Sequence, residues 1–223
     1  MEIYLGFDPG GEKQFGWAVC SRTKEKLAVL AIGEANRAEG AFAKAISAIP
    51  NEGTVVGAGI DAPLFWSESG DRNVDKLIRR ALQQLGAPSP GGTVQNINSL
   101  RGACLIQGAI IAKLLQKQFP AITITESHPK ALLYLLGIAN TKVHPSKISV
   151  AEFSEWVDDV NLSINDNERD AILGSITAFA QKLNVKGWIN LFEKERNPII
   201  PFNYSVGYWM PLDLITAVAC EFT

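Results

Sequence analysis

Four acidic residues fall where the chain leaves regular structure: Asp8, Asp61, Glu126 and Asp170. Asp8 follows the apolar run 3–7 and precedes Pro9-Gly10-Gly11. Asp61 follows the run 54–60, Glu126 closes the alternating stretch 121–125, and Asp170 opens a strongly helical segment. Ligand sites in α/β proteins gather beyond the carboxyl ends of strands, so neighbouring strands would bring three of these groups to one edge and a helix would add the fourth. Carboxylates so close repel one another and raise each other's pKa. A divalent cation removes that penalty. Mg²⁺ takes oxygen ligands and shares its shell between carboxylates and substrate phosphates. Two such ions about 4 Å apart activate water and stabilise the leaving oxygen of a phosphodiester. The quartet therefore predicts a Mg²⁺ or Mn²⁺ site at Asp8, Asp61, Glu126 and Asp170, and phosphodiester hydrolysis there. Each residue also has a structural role open to it. Asp8 suits a turn before Pro-Gly, and Asp170 suits a helix N-terminus, as do Asp166 and Glu168; whether Asp166 or Asp170 is the fourth carboxylate stays open.

Candidate substrate contacts lie nearby. Arg72, Lys76, Arg79 and Arg80 recur at spacings of three and four, so one helix face could meet phosphates or be a solvated face paired with Asp71 and Asp75. His128, two residues beyond Glu126, is placed for proton transfer or for contact with a scissile phosphate. Other chemistries are excluded. Twenty-one basic against 23 acidic residues leave a net charge of −2, so no bulk positive charge holds the chain to nucleic acid or membrane; nucleic acid as a partner requires a local patch. Cys20, Cys104 and Cys220 form no C-x-x-C pair, and His128 and His144 are the only histidines, so neither a zinc ribbon nor H-E-x-x-H chemistry fits. Gly57-Ala-Gly59 does not complete a dinucleotide-binding loop.

The elements that position these residues read as α/β. With 47% hydrophobic and 20% charged residues, a sizeable core is expected and disorder is excluded. Strands are predicted over 3–7, 16–20, 26–32, 54–60 and 121–125, with a helix over 38–49 stopped by Pro50. Segment 64–100 reads as an insertion after the fourth strand, with a basic-faced helix over 71–85 and a loop over 86–92. Helices follow over 99–118, capped by Ser99, and over 129–136, 146–157 and 168–183. The extension 186–223 reads as irregular, and its apolar residues suit a homodimer interface. The prediction is one domain over 1–223 with a mixed five-stranded sheet flanked by helices. Cysteine usage and the direct entry into a strand predict a cytoplasmic protein without a signal peptide. No apolar run reaches the ~20 residues of a membrane span.

Several short motifs, in order over about residues 3–182, carry a resemblance. Phe7-Asp8-Pro-Gly-Gly with Phe15-Gly-Trp-Ala18, Gly59-Ile-Asp61-Ala-Pro-Leu64 followed by Arg72, Thr125-Glu126-Ser-His128-Pro129, and Glu168-Arg-Asp170-Ala171 leading to Thr177-Ala178 resemble the domain-of-unknown-function 429 family of predicted nucleases. Ser127 departs from the apolar residue expected there, and the tail after Lys186 matches least. The resemblance implies a ribonuclease H-like fold and Asp8, Asp61, Glu126 and Asp170 as metal ligands. Two other functions fit parts of the pattern: a nucleotide-binding protein of the actin and sugar-kinase type, which needs two β-β-β-α-β units where this chain has one, and a non-catalytic ribonuclease H-like scaffold.

Overall fold

A computed structural model describes residues 1–11, 14–68, 70–99, 102–158, 162, 164–201 and 205–211. The chain opens with β1 (Glu2–Asp8), β2 (Phe15–Thr23), β3 (Lys26–Ala35), α1 (Ala38–Ser47) and β4 (Thr54–Ile60). β5 (Trp66–Ser67), α2 (Asn73–Gln84), the single turn α3 (Pro90–Thr93) and α4 (Gly102–Gln118) follow. The chain continues through β6 (Thr123–Glu126), α5 (Pro129–Leu135) and α6 (Asp166–Leu183), and closes with β7 (Trp188–Asn190), β8 (Pro198–Ile199) and β9 (Val206–Pro211).

Among the described residues, seven strands form one mixed sheet in the order β3-β2-β1-β4-β6-β9-β7. The neighbours β1, β4, β6 and β9 run parallel, while β2, β3 and β7 run antiparallel to the strands beside them. The α/β class and the five expected strands are present, but the count of five is corrected to seven. β9 and β7 come from the tail that the sequence reads as irregular. They are short and rich in aromatics, and they become strands because the open edge of β6 supplies β9 with a hydrogen-bonding partner and β9 in turn supplies one to β7. Trp188, Val206, Tyr208 and Met210 are buried in the sheet, so these apolar residues of the tail are interior. β8 pairs with β5, which ties the tail to the insertion. Residues 202–204 and 212–223 of the extension lie outside the described residues. The helix expected over 146–157 is replaced by two short 3₁₀ turns, Pro145–Lys147 and Val150–Phe153. The long helix begins at Gly102, and Ser99 ends a separate 3₁₀ turn. Among the described residues no helix is long and apolar enough to cross a membrane.

α6 decides where the site forms. Asn165 caps it, accepting a hydrogen bond from the Glu168 amide (3.0 Å) while Glu168 accepts one from the Asn165 amide (3.1 Å). Asn184, at φ 48°, ends it in the left-handed conformation. Residues 169–180 of this helix are all buried. It lies so close to the sheet that a Cβ on Gly6 would sit 1.7 Å from the Ala171 carbonyl oxygen, and one on Gly59 would sit 2.0 Å from that of Gly174. Any side chain at either position would lift the helix off the strands.

Candidate active site

Side chains alternate along a strand, so residues two apart share a face. Two residues beyond Gly6 is Asp8, and two beyond Gly59 is Asp61; both therefore stand on the α6 face. β1 and β4 pair in parallel with Phe7 opposite Ile60. Continuing that register sets Asp8 beside Asp61 on backbones about 4.8 Å apart, and the Asp61 amide donates to the Phe7 carbonyl (2.9 Å). Asp170 immediately precedes Ala171, the residue seated over Gly6. Two glycines let one helix descend, and this brings Asp170 near enough for its charge to reach Asp8 and Asp61.

Their electrostatics reflect the crowding. Burial, then the charges of Asp61 and Asp170, hold the Asp8 carboxyl well above the usual carboxylate range. Burial likewise pushes Asp61 up to about 7, with His128 opposing and Asp170 reinforcing. Burial raises Asp170, although Arg169 counteracts it. Asp170 Oδ1 accepts from Arg169 Nε and Nη2 (2.9 and 2.6 Å). Among the described residues, neither the Asp8 nor the Asp61 carboxylate accepts a hydrogen bond within the chain. Carboxylate oxygens of this kind are what a hard divalent cation takes, although among the described residues the atoms of Asp8, Asp61 and Asp170 do not close to within 4.8 Å of one another as those of Asp75, Glu126 and His128 do. Asp166 is half-exposed and paired with Arg169 (3.0 Å). Asp170, not Asp166, is the one whose charge reaches Asp8 and Asp61.

Asp8 and Asp61 open into a pocket of about 220 Å³, also lined by Thr93, Gln95, His128 and Lys130. Lys130 is exposed at its rim, and its charge opposes the pKa rise of all three aspartates. The sequence reading missed Lys130; its only signal is a cation two residues beyond His128.

Glu126 stands apart from this trio. It is in register with Ile60, one residue short of the row of Asp8 and Asp61, so the pleat turns it to the opposite face. Ser127 takes the place in the aspartate row and faces α6, where its hydroxyl meets that of Thr177 (3.3 Å), which accounts for a polar residue there. Both Glu126 oxygens are engaged. Arg72 Nη1 and Nη2 donate to them (2.8 and 2.6 Å), the Leu64 amide donates to Oε2 (3.0 Å), and His128 Nε2 lies 3.1 Å from Oε1. Burial alone would raise Glu126, but Arg72 and His128 outweigh it and hold the carboxyl below its ordinary value.

Arg72 is corrected from a substrate contact to an interior residue. It is 1% exposed, it binds Asp75 through Nε and Nη2 (2.8 and 2.9 Å), and its guanidinium lies 4.4 Å from the Phe65 ring centroid. The chain enters α2 at Arg72, so the residue turns inward while Lys76, Arg79 and Arg80 line the outer side. Arg79 is partly committed: it holds Asp71 through Nη2 (2.8 and 2.9 Å) and donates to the Val94 carbonyl (3.3 Å).

Asp75, Glu126 and His128 each offer a ligand atom within 4.8 Å of the others, so this buried cluster could hold a divalent metal ion. The Arg72 guanidinium already supplies a cation between the two carboxylates. His128 links the two groups of acids, with Nδ1 4.0 Å from Asp61 Oδ1. Burial disfavours its charged form, but Glu126, Asp61 and Asp75 prevail and raise its pKa. No family model and no curated protein matches the chain.

Proposed function

We propose that the chain is a ribonuclease H-like, metal-dependent nuclease, akin to the domain-of-unknown-function 429 family, that hydrolyses phosphodiester bonds of nucleic acid. One observation carries the reading: Asp8 and Asp61 line one open pocket, the charge of Asp170 reaches both, and neither of the two accepts a hydrogen bond within the chain to offset the repulsion. The β-β-β-α-β opening and the adjacent carboxyl ends of β1 and β4 support the fold assignment.

Asp8, Asp61 and the Oδ2 oxygen of Asp170 would hold Mg²⁺ or Mn²⁺. Such an ion supplies Lewis-acid stabilisation of the phosphoryl group and a hydrolytic water of lowered pKa. Arg169 holds the other Asp170 oxygen and keeps that side chain in place. Lys130, at the rim, offsets the charge of an arriving phosphate. His128, anchored through Nε2 to Glu126, presents Nδ1 toward Asp61 and the pocket, where it can exchange a proton with the departing or attacking oxygen. Glu126 and Arg72 act through His128 by fixing its ring.

The test is cleavage of branched, duplex and single-stranded nucleic acids with Mg²⁺, Mn²⁺ or EDTA. Metal-dependent cleavage that falls by about 10²-fold or more in Asp61→Asn is expected, in line with the loss of a group stabilising a transition state. Cleavage that persists in Asp61→Asn, or that ignores EDTA, would overturn the proposal.

A further inference from the structure

We propose that the substrate strand does not end at the carboxylate pocket but crosses α3 and lays further phosphates in a basic groove on its other side. This rests on the nuclease reading for the end of the strand at the pocket, and it adds the class of substrate: a polymer several nucleotides long.

The groove, about 560 Å³, is lined by Lys76, Arg79, Arg80, Gln83, Pro90 and Gly91 among others. The next two residues of α3, Gly92 and Thr93, line the carboxylate pocket. The two depressions therefore share one wall, a single turn about 6 Å long. The wall is low at Gly91, where an added Cβ would meet nothing within 4 Å. The groove's lining holds three cations, with Asp71 paired to Lys76 and Arg79 beside it, in a chain whose net charge is −2. Arg79 is the strut of this floor, tying α2 to its own lead-in at Asp71 and to Val94 just after α3. Lys76 is only loosely drawn to Asp71, at 3.9 Å, and Arg80 is exposed. A helix with its side chains is about 10 Å across, which corresponds to about three nucleotides at ~3.4 Å each. A strand cut at the pocket would thus reach Lys76 and Arg80 about three to four nucleotides away, whereas a mononucleotide ester would use the pocket alone.

The experiment measures binding separately from cleavage. Fluorescence anisotropy in EDTA follows labelled single strands of about 12 and about 3 nucleotides over a salt series. The proteins are wild type, the pair Lys76→Gln with Arg80→Gln, and a charge-matched pair, Arg37→Gln with Lys44→Gln, beside a different groove. Thermal unfolding checks that each is folded. For the longer strand, the Lys76/Arg80 pair should weaken binding about tenfold at low salt and flatten the slope of log K against log[salt] by about 1.4, the value for two lost phosphate contacts to a single strand. The shorter strand and the Arg37/Lys44 pair should show neither change. An unchanged slope in the Lys76/Arg80 pair, an equal loss in the Arg37/Lys44 pair, or no binding by wild type overturns the groove assignment. Equal, equally salt-dependent binding of polyglutamate overturns it in favour of an acidic polypeptide. Groove-dependent binding without cleavage in Mn²⁺ overturns the nuclease reading and leaves the groove standing.

Discussion

Without a divalent ion, the protein should lose stability as pH rises from about 5 to about 7.5, because Asp61 binds a proton more tightly when folded than when unfolded. Its carboxyl moves from an ordinary 3.8 to about 7 on folding, through burial and the charge of Asp170 against the opposing His128. Between those values the folded state holds more protons, so each step up in pH favours unfolding. About two pH units of that span, from the start of the series near 5 up to 7, at ~1.4 kcal/mol each cap the loss it can show at about 3 kcal/mol. The side chain is 25% exposed and shares its repulsion with neighbours, so solvent screening reduces the expected loss to about 2 kcal/mol. For a chain of this length that lowers Tm by about 4–8 °C. Glu126 works the other way, but only below its ordinary 4.5, which is why the series starts near pH 5. His128, also raised, adds to the loss above its ordinary 6.5, so the informative quantity is wild type minus Asp61→Asn. The assay is thermal unfolding across this range in EDTA and in millimolar Mn²⁺. Wild type in EDTA should decline, Asp61→Asn should be flatter, and Mn²⁺ should restore wild type most at the upper end, since binding to the native state alone stabilises it. A wild-type curve in EDTA that is flat or rises with pH, or Mn²⁺ stabilisation undiminished in Asp61→Asn, would refute the reasoning.

Two further substitutions probe how the site is held. Arg72→Met should destabilise by about 3–5 kcal/mol in urea unfolding, because Glu126 and Asp75 remain buried without their counter-charge. Adding Glu126→Gln and Asp75→Asn should return more than half of that, and a loss below about 1 kcal/mol for Arg72→Met would disprove the ion cluster. Gly6→Ala and Gly59→Ala should each cost at least about 3 kcal/mol, at or beyond the usual range for overpacking, since the new methyl would overlap helix backbone. Gly91→Ala, in open space, should be neutral or stabilise by up to about 1 kcal/mol in the same unfolding assay.

Periodicity and punctuation make much of the sheet legible. The first four strands are apolar runs bounded by Pro, Gly and polar turns, and 54–60 is read to the residue. The last strands are not legible because 188–190 and 206–211 have no period of their own; they are strands by virtue of the neighbour each one meets. The 146–157 segment fails for the converse reason. Its apolar spacing suits a helix, but Val157 and Trp156 are drawn to β3, with the Leu27 amide donating to the Trp156 carbonyl and the Asp158 amide to that of Leu27, and only isolated turns form. At the site, the residue types and their order along the chain point to acid chemistry. A Gly-x-Asp spacing at both 6–8 and 59–61 also marks the close helix approach, a signal that can be read without coordinates.

By itself, the order of residues determines that carboxylates end several strands and that cations cluster after the fourth, since these are local facts of pattern and spacing. Only the tertiary structure decides which of them act together. Pleat parity is a property of paired strands, so one residue of register turns Glu126 away from Asp8 and Asp61 and toward Arg72. The direction in which Arg72 enters α2 then takes it from the surface into the interior, while its neighbours Lys76 and Arg80 stay at the groove.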